Sequence, residues 1–169
     1  MKICTTCNQQ KEFKQFRKLK NSFDGYEYAC KPCRDIQCRN WDSTEKGYIR
    51  NLYSNMKKRT VSGVHKNASE EIKKKHTVYL TIEEFEDLWK QHKEKHGYKC
   101  LLTGVKMTHA PSKENGNINN NISADRLDPN IGYTKENIIF VSANVNIRKN
   151  AITKELCHAI LKQYEERGW

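Results

Sequence analysis

The chain has 169 residues, 36% of them hydrophobic and 30% charged, with a formal net charge of +11. That length suits one compact domain, or a small domain with a finger, around a modest core. No apolar run is long enough to cross a bilayer, and the first residues, MKICTTC, lack the apolar stretch of a secretory signal. A cytoplasmic protein is therefore expected, where thiols stay reduced and clustered cysteines hold metal.

The charge is lopsided. Residues 1–60 carry 14 Lys/Arg against 6 Asp/Glu, whereas residues 61–169 carry 17 against 14. A basic N-terminal half predicts a polyanionic partner, because neutralising phosphates releases condensed counterions. No helix pattern sets a clean apolar face against a lysine face, so nucleic acid ranks above a membrane surface. The plain alternative is charge that only keeps the protein soluble.

Residues 1–40 contain Cys4 and Cys7, then Cys30 and Cys33, as two CxxC pairs separated by 22 residues. Two such pairs suit tetrahedral Zn²⁺, since each forms a tight knuckle presenting two sulfurs. Four thiolates leave no open position, so the zinc is expected to be structural. Phe13, Phe16, Phe23, Tyr26 and Tyr28 would supply a mini-core too small to hold without metal. Asp24-Gly25 marks a turn, and Pro32 suits the first turn of a helix running toward Trp41.

Residues 41–96 read as a basic helical spacer. Ser43 or Thr44 is placed to cap a helix with Tyr48, Ile49, Leu52, Tyr53 and Met56 at helical spacing. It ends in Lys57, Lys58 and Arg59, cations that complement the helix C-terminus and are available to phosphates. Residues 62–69 read as a loop, and Lys73–Lys75 as a solvated face. Thr81 and Glu84 form a capping box ahead of Phe85, Leu88 and Trp89. His92 and His96 read as an exposed polar helix face rather than a second metal site. Cys38, Cys100 and Cys157 read as small hydrophobes.

In residues 97–169, Ile122–Leu127 predicts a strand, 128–134 a turn, and Asn137–Val141 a second strand. Ser142 is placed to cap a helix through about Lys149, which completes a ββα hairpin. Thr153 would cap a final helix with Ile152, Leu156, Ile160, Leu161 and Tyr164 covering the unit. Cys100-Leu101-Leu102-Thr103-Gly104 is followed by Asp125-Arg126-Leu127-Asp128, Gly132-Tyr133-Thr134 with Asn137, then Asn146 and Lys149. That succession resembles the HNH branch of the His-Me finger (ββα-metal) nucleases, in small forms common in phages and mobile elements. The finger of residues 1–40 is similar to the zinc module often fused ahead of them.

The resemblance implies an α+β protein: a four-cysteine zinc finger over 1–40, a basic helical spacer over 41–96, and a ββα-metal nuclease domain over 97–169. It implies Asp125 and Asn146 as ligands of one catalytic Mg²⁺ or Mn²⁺, hard oxygen donors for a hard ion. It places Asn137 as the residue that pins the loop between the strands, and Arg148 or Lys149 at the phosphate backbone. Some relatives carry further cysteine knuckles around the ββα unit; here Ser142 and Val145 stand at those places. Packing by Ile139, Val141 and Ile160 is expected instead of zinc.

Arg126 falls where the pattern has a general-base histidine. A guanidinium cannot accept a proton at neutral pH, but it can hold a phosphate bidentately and stabilise developing charge. The base then falls to His109, Asp128 or metal-activated water. The expectation is a DNA endonuclease acting on double-stranded DNA, with no small-molecule cofactor. The alternatives are a zinc-dependent DNA-binding protein with a degenerate nuclease fold, and an RNA-binding module that stacks bases on exposed rings.

Overall fold

The computed structural model describes residues 1–61, 67–110, 118–149 and 154–168. The chain divides into two compact units, Met1–Gly47 and Tyr48–Trp169. Among the described residues, no helix is long and apolar enough to cross a membrane.

The first unit is two small hairpins and a helix. β1 (Lys2–Ile3) pairs antiparallel with β2 (Gln10–Lys11), and β3 (Phe16–Lys18) with β4 (Tyr26–Cys30). α1 (Lys31–Ser43) begins with Pro32 in its first turn, where a missing N–H costs nothing. The expected aromatic mini-core is smaller than its sequence promised. Phe16 is buried with Cys4 and Cys30, and Tyr26 packs against that cluster. Phe13, Tyr28 and Phe23 are exposed. A unit this small has too little apolar area to hold itself together unaided.

The second unit begins in α2 (Glu45–Val61), whose Thr44 Oγ1 accepts a cap bond from the Gly47 N–H at 3.0 Å. α3 (Glu70–His76) was not foreseen; its Lys73 and Lys75 pair with Glu70 and Glu71 one turn back. α4 (Ile82–His96) carries the full Thr81–Glu84 capping box. β5 (Ile122–Arg126) and β6 (Ile138–Ser142) then pair antiparallel with Ile122 opposite Ser142, and α5 (Ala143–Lys149) follows directly. α6 (Lys154–Arg167) ends the described chain.

Two helices of 41–96, α2 and α4, contribute to the core, while α3 buries no side chain. Ile49, Tyr53, Met56, Phe85 and Trp89 share one buried cluster with Ile122, Ala124, Phe140 and Val141. Rings knit it together: Phe85 and Trp89 lie 5.5 and 5.1 Å from Phe140. Buried hydroxyls take backbone partners, Tyr53 donating to Leu80 O at 2.6 Å and Tyr48 to Ile122 O at 2.9 Å. Residues 62–66 of the expected loop lie outside the described residues.

His92 departs from expectation in the same way. It is buried, stacked on Trp89 at 5.4 Å, and its Nε2–H donates to Lys99 O at 2.9 Å. Burial lowers its pKa, which keeps the ring neutral. Of the three remaining cysteines, Cys100 is buried, Cys38 half-buried and Cys157 exposed.

The expected cover by α6 is absent from the described residues. Ile160, Leu161 and Tyr164 are all exposed, so Ile160 does not join Ile139 and Val141 in the core. Ile152 and Thr153 lie outside the described residues. β6 needs no such cover, because all five of its residues are already buried.

Gly132 sits where the loop between β5 and β6 meets the segment after α3. A Cβ there would lie 2.7 Å from Thr77 O and 2.9 Å from Lys74 O. Backbone bonds lock the same junction: Tyr133 N–H donates to Thr77 O at 2.9 Å and Tyr79 N–H to Tyr133 O at 3.0 Å. Gly132→Ala is expected to destabilise the protein by about 2 kcal/mol, as overpacking does. Urea unfolding checks it, and an unchanged midpoint would contradict the packing.

Candidate functional site

The described residues bring two sets of functional side chains together. In the first unit, the Sγ atoms of Cys4, Cys7, Cys30 and Cys33 lie within 4.8 Å of one another. The Cys4–Cys7 knuckle closes through Asn8 N–H donating to Cys4 O at 2.9 Å, with Asn8 at a positive φ of 56°. Asparagine tolerates that conformation better than most residues. β4 docks on the knuckle: Thr5 N–H donates to Tyr28 O at 3.1 Å, and Cys30 N–H to Cys4 Sγ at 3.2 Å.

Electrostatics show why four such sulfurs call for a cation. Burial pushes the Cys4 thiol up, but the N–H groups of Cys30, Cys7 and Thr6 outweigh it and bring it to about 5. Contact with the Cys30 sulfur, and then burial, push Cys33 up to about 12. Thiolates this close cannot coexist without a positive charge between them. Lys11 Nζ donates to Cys30 Sγ at 3.4 Å and supplies part of it. Four soft donors within this span form a cluster able to bind a metal such as zinc.

The second set lies on the outer face of β5. Alternation buries Ile122 and Ala124 and turns Ser123 and Asp125 the other way. Because α5 starts as soon as β6 ends, its residues come to rest over that outer face. Asn146 Nδ2 donates to Ser123 Oγ at 2.8 Å and Ala124 O at 3.4 Å. Lys149 Nζ meets Asp125 Oδ2 at 2.9 Å and Arg126 O at 2.7 Å. Asp125 Oδ1 accepts from Arg126 N–H at 2.8 Å. The Asn146 Oδ1 accepts no hydrogen bond from a described residue.

Asp125, Asn146 and Lys149 thus share one surface, but Arg126 does not. As the next residue along the strand it points away from Asp125. Its Nη1 donates to Lys75 O, and to Pro129 O at 3.0 Å, while its guanidinium lies 5.3 Å from the Tyr133 ring centroid. Arg126 therefore ties the end of α3 to the turn after β5. No phosphate-holding geometry at Asp125 follows from that placement.

Asn137 is the hub of the loop. Its Oδ1 accepts from Asp128 N–H at 2.8 Å, and its Nδ2 donates to Asp128 O, Ile131 O and Gly132 O at 3.0 to 3.2 Å. It is buried, and its bonds hold the loop between β5 and β6.

The two side-chain candidates for a base have partners of their own. Asp128 Oδ1 accepts from Asn130 N–H at 2.8 Å and shapes the turn. His109 is ringed by Tyr48 and Tyr98 at 6.2 and 6.4 Å, following Thr108, whose carbonyl accepts from the Ile122 N–H. Arg148 bonds Asn144 on its own helix at 2.8 Å. At the end of α2, Lys57 lies over the Tyr53 ring, and Lys58 and Arg59 are exposed.

Sequence reasoning missed Ser123 and the Lys149–Asp125 pair. Both have signals: Ser123 stands two residues before Asp125 on one strand face, and Lys149 one helical turn after Asn146. Comparison with protein-family models, curated proteins and solved structures returned no match to this chain.

Two outcomes follow. Native mass spectrometry of protein purified without chelator should find one zinc ion on the wild type and none on Cys30→Ser, with the first unit losing structure. Zinc retained by Cys30→Ser contradicts the cluster. Asn137→Ala strands several buried backbone groups and should cost about 3 kcal/mol in urea unfolding; a cost near zero contradicts its place as the hub.

Proposed function

We propose that the protein is a DNA endonuclease of the HNH type, which hydrolyses phosphodiester bonds with a divalent metal ion. One observation carries this reading: α5 lays Asn146 and Lys149 across the face of β5 from which Asp125 projects. The order of motifs along the chain and its net charge of +11 support it.

Asp125 and Asn146 are hard oxygen donors and suit Mg²⁺ or Mn²⁺, with one condition. Lys149 Nζ sits on Asp125 Oδ2 at 2.9 Å, so ammonium and ion compete for the same oxygen. The donor set fits a divalent ion once Lys149 swings off that carboxylate, which is a small move for a flexible four-carbon stem. Such an ion supplies Lewis-acid polarisation of a phosphoryl oxygen and a lowered pKa for bound water. The chain's own residues supply the rest. Asp125 and Asn146 hold and orient, Asn137 fixes the loop beside them, and the displaced Lys149 ammonium is left free to meet a phosphate. Arg126 acts as a strut for Tyr133 and α3 rather than as a phosphate clamp. The four-cysteine finger and the cations Lys57, Lys58, Arg59 and Arg148 grip the backbone of double-stranded DNA.

The Lys149–Asp125 pair also favours a second reading, a zinc-dependent DNA-binding protein whose nuclease fold has lost its metal. An ion pair that satisfies the carboxylate leaves less to gain from a divalent ion.

Zinc-loaded protein incubated with supercoiled plasmid and Mg²⁺ or Mn²⁺ separates the two. The wild type is expected to nick or linearise the plasmid. Asp125→Asn should bind it equally and cut it slower by more than the roughly 100-fold that loss of an outer-shell partner causes. Equal cutting by Asp125→Asn overturns the site. Tight binding without cutting by the wild type selects the second reading.

A further inference from the structure

The hairpin of β3 and β4 ends in a turn over residues 19–25 that presents Phe23 wholly to solvent, at 106% exposure. The turn is built without that ring. Leu19 N–H donates to Gly25 O at 2.8 Å, Ser22 N–H to Leu19 O at 3.1 Å and Gly25 N–H to Ser22 O at 3.2 Å. Ser22 Oγ adds a bond to Leu19 O at 2.9 Å, and Gly25 takes the positive φ of 77° that closes the loop. Asp24 Oδ1 accepts from Tyr26 N–H at 3.1 Å and Lys2 Nζ at 2.9 Å, which fastens the tip to β1.

A benzyl group held in water on so closed a turn forgoes the stabilisation of burial and gives the finger nothing in return. What it provides is a preorganised apolar point. Leu19 in the same turn is 41% exposed, and Lys18 and Lys20 on either side of it in sequence are exposed and in no ion pair with a described residue. Two exposed apolar side chains and two unpaired ammonium groups at one hairpin end match a polyanion with flat apolar layers inside it.

We infer that Phe23 is a wedge that enters a base step of duplex DNA while Lys18 and Lys20 take neighbouring phosphates. Apolar side chains on a rigid support unstack and kink a duplex in this way. The inference rests on DNA being the partner and adds how the finger engages it. A lipid surface fits the tip less well. Asn21, Ser22 and Asp24 are interleaved with the two apolar residues, so insertion among acyl chains would drag polar groups with it.

The test uses the full, zinc-loaded chain and labelled duplexes carrying 2-aminopurine, at one fixed salt concentration. Wild type is expected to bind and to raise 2-aminopurine emission as a base step opens. Phe23→Ala should keep its zinc, lose that rise and bind about 10-fold more weakly, as loss of one stacked ring does. Phe23→Trp should restore both signals, with its indole emission quenched on binding. Equal affinity and an equal rise for Phe23→Ala overturn the wedge and leave DNA as partner. A wild type that binds no duplex overturns the wedge and the reading of the partner together. Phe23-dependent sedimentation with phosphatidylserine vesicles, with duplex binding untouched, overturns it in favour of a membrane.

Discussion

Helix α5 is fastened to the outer face of β5 by two polar contacts, Asn146 to Ser123 and Lys149 to Asp125, and the proposed chemistry depends on that clasp. The geometry is forced from both sides. Ile122 opposite Ser142 sets the register, so α5 leaves β6 level with the start of β5. Three helical residues advance roughly 4.5 Å and two strand residues roughly 6.6 Å. Asn146 therefore falls over Ser123, and the longer Lys149 side chain spans the remainder to Asp125. A one-residue slip in the pairing would turn Asp125 into the core and Ala124 outward.

Two kinds of donor emerge, and they ask for different ions. The finger gathers four soft sulfurs close enough to bind a metal such as zinc, around a small apolar cluster. The β5 face offers hard oxygens and already holds a positive charge in Lys149. An ammonium on a carboxylate balances charge without dehydrating an ion, so the pair is a stable arrangement for the protein alone. It also marks the oxygen to which a divalent cation would bind.

The sequence made the local elements legible wherever a short pattern specifies them. The CxxC pairs, the Thr81–Glu84 box and the β-branched NIIFV strand all stand as their patterns imply. What it hid was long-range packing. Nothing local separates a basic spacer helix from one whose Tyr53 and Trp89 end up around Phe140, since basic residues line the outside of both. His92 shows the same limit: Trp89 stands one helical turn before it, but only the fold brings Phe140 against it. Arg126 was read from its alignment with a histidine, whereas strand alternation had already turned it from Asp125. The exposed rings of the finger went unread because aromatic residues near a zinc knuckle were counted as core by type.

The central claim is that Asp125 and Asn146 together form a divalent-cation site under α5. Titration of Mn²⁺ into isotope-labelled, zinc-loaded protein tests it most directly, by the distance-dependent broadening of amide resonances. The account predicts that signals of Ser123–Arg126 and of Asn146–Lys149 broaden first and together, and that the lysine Nζ resonance of Lys149 shifts as it leaves Asp125. Broadening spread evenly over the acidic surface, with these two segments no more affected than the rest, would contradict it.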